Sequence, residues 1–150
     1  MRMKFSDVLC LVARILVGGV LIYAGFMKAV GPSAEFAAAI AAYKILPPAF
    51  VSPLALGLPY VEMWIGLFVL TGFYARKAAV LAAALFIVFL IALGSARIRG
   101  IDLASCGCFG SNLLSPRAEI LMDVVLLALS LVIYRLSKYP TPWSLDRALQ

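Results

Sequence analysis

Four long apolar runs constrain this chain more than any other feature, over about residues 7–29, 50–72, 75–96 and 116–136. Each holds about twenty residues, which at about 1.5 Å per residue crosses a hydrocarbon core of about 30 Å. Inside such a core every backbone N–H and C=O must be satisfied within the segment, and an α-helix does this. Hydrophobic residues make up 65% of the chain and charged residues 13%, more apolar surface than one water-soluble core can hide. The pattern predicts an all-α integral membrane protein, a four-transmembrane-helix bundle in a single domain over 1–150. The first run follows Arg2 and Lys4 as a leader peptide would. It is long, however, carries Arg14 inside it and offers no convincing cleavage site before Lys28. It is expected to stay as a helix.

Four crossings put both termini on one side. Arg2, Lys4, Arg76, Lys77, Arg135, Lys138 and Arg147 share that side, and Lys28, Lys44, Arg97, Arg99 and Arg117 face the other. The positive-inside bias makes the termini cytoplasmic, in a bacterial inner membrane, and turns residues 97–115 toward the periplasm. The net charge of +6 comes from basic residues scattered singly or in pairs at segment ends. That spacing suits anchoring to the lipid bilayer and not nucleic-acid binding. The chain has no histidine, which excludes imidazole haem ligation, His-based zinc sites and His general bases.

The first outer connection reads as a short interfacial helix over about 33–46. Pro32 and Ser33 start it, Phe36, Ile40 and Tyr43 share one face, and Pro47-Pro48 stop it. It is too short to span. Ser115 and Pro116 open the last helix as N-cap and first helical residue.

A charged side chain inside a membrane helix costs about 2.5–3.5 kcal/mol on insertion scales, so each demands a reason. Arg14, Gly18, Leu21, Gly25 and Lys28 recur at steps of four and three residues and form one stripe of the first helix. Its glycines would let a neighbouring backbone come close. Pro59, Glu62 and Gly66 make a similar stripe, and Glu119 and Asp123 stack one turn apart. The expected pairs are Arg14 with Glu62, and Lys28 with Asp123 or Glu119. Such pairs either fix helix register alone or form a track that binds a quinone headgroup or moves protons. On the second reading Tyr23, Tyr60 and Trp64 join Arg14, Lys28 and Glu62 in lining the cavity.

Cys10, alone near the inner end of the first run, reads as a small packing residue. Cys106 and Cys108 stand together in the outer connection as "SCGCFG". Gly107 between them allows the backbone angles a tight ring needs. A disulfide closed over one residue is strained, and strained disulfides exchange readily. Three readings stay open: a redox-active dithiol/disulfide, a static disulfide, and a soft-metal site such as Cu(I) on two thiolates. The metal reading lacks a second cysteine pair or a methionine cluster, so no metal is expected.

The stretches "ARILVGGVLIYAGFMKAVGP", "FAAAIAAYKILPP", "LPYVEMWIGLFVLTGFYARKAA" and the "RG" before "CGCFG" carry a resemblance over nearly the whole chain. The chain resembles the MauE (methylamine utilisation) family within the DoxX-like membrane proteins. The shared pattern falls on Arg14, Gly25, Lys28, Pro47, Pro59, Glu62 and Gly66, then on Arg99, Gly100, Cys106, Cys108, Phe109 and Gly110. The resemblance implies a four-helix membrane protein beside a periplasmic thioredoxin-like partner, linked to maturation of a disulfide-rich dehydrogenase subunit. The expected activity is thiol–disulfide exchange through Cys106 and Cys108, with a quinone as the carrier inside the membrane. The alternatives are a non-enzymatic membrane scaffold and a DoxX-type subunit of a quinone-linked oxidoreductase.

Overall fold

A computed structural model describes residues 5–101 and 116–137. They form five helices in the order α1 (Phe5–Val30), α2 (Ser33–Ala42), α3 (Pro48–Thr71), α4 (Ala75–Ile98) and α5 (Pro116–Leu136). The long helices begin or end within about two residues of the apolar runs. α1, α3 and α4 are long and apolar enough to cross a membrane by length and composition. α5 has 21 residues, about 31 Å of helix at 1.5 Å per residue, but it carries more charge. Its pattern is inverted relative to a soluble helix: Glu119, Asp123 and Ser130 are buried, while Leu121, Val124, Val125 and Leu131 face outward. A helix that hides its polar side and shows its apolar side is built for a lipid surround.

α1, α3, α4 and α5 make an up-and-down bundle. α1 runs antiparallel to α3, because Gly18 meets Gly66 while Gly25 meets Pro59. A Cβ on Gly18 would stand 2.7 Å from the Gly66 carbonyl oxygen, and one on Gly25 would stand 2.6 Å from that of Pro59. The stripe read from the sequence is thus a backbone-to-backbone seam. The core between the helices is Val17, Leu21, Ile65, Val69 and Ile133 with the small face Ala78, Ala79 and Ala82 of α4 and Phe86.

α2 ends at Ala42, short of the expected 46. Tyr43 caps it and Lys44 turns left-handed at φ 51°, so the chain leaves the helix before Pro47. The Arg99 guanidinium, at the end of α4, donates to the Tyr43 and Lys44 carbonyls and holds that turn. Pro48 opens α3 in the first helical turn, where its missing N–H is not needed. α2 packs through Phe36 and Ile40 on Val51 and Ala55 of α3. At the other end α3 closes on Gly72, left-handed at φ 69°, whose N–H bonds to the Phe68 carbonyl. Pro116 stands at the first position of α5 as expected, and Ser115 lies outside the described residues.

Candidate functional site

The stripe of α1 and the acid of α3 meet at the end of the bundle that α2 covers. Lys28 Nζ lies 2.5 and 2.6 Å from the two carboxylate oxygens of Glu62, and both side chains are buried. The ammonium also stands 5.5 Å from the centre of the Phe36 ring and 5.3 Å from that of Phe89. Desolvated cation–π contacts of this kind contribute about 2 kcal/mol, which offsets part of the desolvation of the charge. Asp123 and Glu119 of α5 are 4% and 2% exposed, and Asp123 shares a cavity with Lys28 and Glu62, so the buried charges at this end are three acids and one base among the described residues.

This arrangement corrects the expected pairing of Arg14 with Glu62 and of Lys28 with α5. Arg14 donates from Nε to the Val69 carbonyl at 3.0 Å and from Nη2 to the Leu70 carbonyl at 2.9 Å. It therefore closes the C-terminal end of α3, where carbonyls lack partners within the helix and the helix dipole favours a cation. The reason is register. Glu62 lies level with Gly25 of α1, about 16 Å along the helix from Arg14 at 1.5 Å per residue, beyond the reach of a guanidinium.

Two cavities adjoin the ion pair. The larger, about 330 Å³, lies between α1, α2, α3 and α4 and is lined by Lys28, Phe36, Ile40, Tyr43, Leu58 and Phe89 among others. The smaller, about 20 Å³, is lined by Lys28, Glu62 and Asp123 with Leu21, Phe86 and Phe89. Lys28 is the residue common to both walls that carries charge. Of the candidates named from the sequence, Lys28 and Glu62 come together, and Arg14 lies at the far end of α3. Tyr60 and Trp64 are each 59% exposed and Tyr23 49%; they stand on the outer face of the bundle, where amphipathic rings meet lipid. Cys10 is buried, with Sγ 3.8 Å from Ser137 Oγ. Cys106 and Cys108 lie outside the described residues, as does most of the connection 97–115. Ile101 and Pro116, which flank it, both stand at the Lys28 end of the bundle, since α4 rises to Lys28 at Phe89 and α5 descends from it at Asp123. Sequence reasoning missed the larger cavity. Its walls come from four helices at separations that no periodicity links, although Lys28 and the Phe36, Ile40 and Tyr43 face were singled out separately.

Fold and site together define a multi-pass helical membrane protein with an ion pair closed inside its bundle. The family model described as methylamine utilisation protein MauE matches residues 6–136, and the chain belongs to that family. It is 37% identical over 101 residues to the methylamine utilization protein MauE of Paracoccus denitrificans, covering 66% of this chain and 54% of that one. It is 38% identical over 74 residues to the protein of the same name from Methylophilus methylotrophus, covering 49% of this chain and 39% of that one. The chain thus spans about half the length of the curated relatives it matches, or less. No solved structure matches it.

Proposed function

We propose that this chain is a bacterial inner-membrane protein of periplasmic thiol–disulfide electron transfer, acting in methylamine utilisation. In this reading Cys106 and Cys108 exchange with a periplasmic thioredoxin-like protein and so support maturation of a disulfide-rich enzyme such as methylamine dehydrogenase. The observation that carries it is the family match over residues 6–136, a span that includes Cys106, Gly107 and Cys108. Exchange needs one reduced and one oxidised pair: a thiolate of the dithiol attacks the disulfide of the partner, a mixed disulfide forms as one partner thiolate leaves, and the second thiol of the attacking pair resolves it. One disulfide is made as the other is broken, and two electrons and two protons pass between the pairs.

The apolar cavity beneath α2 fits a quinone in size and lining. Its volume of about 330 Å³ and its wall of Phe36, Ile40, Leu58 and Phe89 suit a ring and the start of a tail. Lys28 and Tyr43 would hold the polar edge, and a bound quinone supplies a two-electron, two-proton acceptor within the bilayer. Arg14, Tyr60 and Trp64 fall outside this wall. Glu62 acts by holding Lys28 in place.

The test is trapping. Cys106→Ser and Cys108→Ser variants, expressed singly in a host that makes methylamine dehydrogenase, should each change the yield of disulfide-complete enzyme. One of the two should accumulate a mixed disulfide with a periplasmic protein. Full enzyme maturation with no trapped partner in either variant refutes the exchange.

A further inference from the structure

Asp123 is 4% exposed, and its Oδ2 has no hydrogen-bond partner among the described residues. It shares the small cavity with Lys28 and Glu62. A space of about 20 Å³ takes one water and little more. The charged groups facing Asp123 are few: Lys28 from α1, Glu62 from α3, and Glu119 one turn away on α5 itself. α4 brings Phe86 and Phe89, which do not titrate.

Lys28 is committed to both oxygens of Glu62, at 2.5 and 2.6 Å. A further ionised carboxylate at Asp123 would have no donor at Oδ2 among the described residues and little bulk water around it. A buried acid in that position neutralises by taking up a proton. A metal ion does not meet the same need. Among the described residues no three Cys, Asp or Glu side chains come close enough to hold one.

We propose that the chamber bounded by Lys28, Glu62 and Asp123 is a proton-binding site inside the membrane, with the proton on Asp123 and one water beside it. Lys28 also walls the larger cavity, so the proton stands one ion pair away from whatever that cavity holds. The inference rests on the bundle alone and is independent of the cysteines.

Infrared spectroscopy of the full chain in lipid vesicles at neutral pH reads the site directly, through the C=O stretch of an un-ionised carboxyl group and its shift in D2O. The expected result is a band in the unaltered protein that is lost in Asp123→Asn and kept in Glu119→Gln. Carboxyl-¹³C labelling of aspartate in the unaltered protein should move the same band, and labelling of glutamate should leave it. This arm needs no substitution and stands even where Asp123→Asn does not fold. The proposal is overturned by absence of the band, by its survival in Asp123→Asn, or by a shift on the glutamate label alone.

Discussion

Lys28 and Arg14 are both buried cations of α1, yet they are compensated in different ways, and their substitutions should differ accordingly. Lys28 sits between a carboxylate and two ring faces. Removing one partner of a buried pair strands the other charge, so Lys28→Met should destabilise by about 3–5 kcal/mol. The double variant Lys28→Met/Glu62→Leu should recover most of that loss, since a well-packed apolar pair replaces a desolvated ionic one at little cost. Unfolding of the detergent-solubilised protein measures both. Arg14 instead satisfies carbonyls at the end of α3. Arg14→Met should cost about 1–3 kcal/mol for each carbonyl left without a donor, and Glu62→Leu should not relieve it, because the two residues share no contact. At this scale the sequence was half legible. The positions of Arg14, Lys28, Glu62, Glu119 and Asp123 inside apolar runs marked them as buried, and the glycine-bearing stripes marked the faces that carry Arg14, Lys28 and Glu62. Their partners were not legible, because pairing depends on the offset between antiparallel helices, and periodicity within one helix does not give that offset.

At the scale of the element, the seam between α1 and α3 depends on glycines that have no room for a side chain. Gly18→Ala and Gly25→Ala each place a methyl group against the opposing backbone, and overpacking of this kind costs about 1–3 kcal/mol. Gly19 and Gly57 meet nothing within 4 Å. Gly19→Ala and Gly57→Ala should therefore leave stability unchanged or raise it slightly. Thermal denaturation of the four variants separates the two classes; equal losses in all four would contradict the seam. Gly72→Ala should also destabilise, through its positive φ and because its Cβ would run into the Arg14 guanidinium. Helix existence was the most legible feature of the chain, because a run of twenty apolar residues has one backbone solution in lipid. The end of α2 was less so. Pro47-Pro48 promised the stop, but the turn at Lys44 is fixed earlier by Arg99, a residue distant in sequence.

In the whole molecule, the up-and-down order brings the ion pair, the acids of α5, the cover of α2 and the flanks of the Cys106–Cys108 segment to one end. Arg99 ties α4 to the turn after α2, so Arg99→Gln should loosen that cover. Faster amide hydrogen exchange across Ser33–Ala42, with α1 and α3 unchanged, is the expected observation. The opposite end holds Arg14, the Arg76 contact with the Tyr134 ring and hydroxyl, and Cys10. In the proposed function Cys106 and Cys108 form an exchangeable pair on the outer side of the membrane. The most direct measurement of that pair is alkylation in native membranes with a membrane-impermeant thiol reagent, applied before and after reduction, with Cys10 buried in α1 as the internal control. Labelling at Cys106 and Cys108 from the periplasmic side that rises on reduction, with Cys10 silent throughout, is the expected result. Equal labelling before and after reduction, or no labelling from that side after reduction, would contradict it.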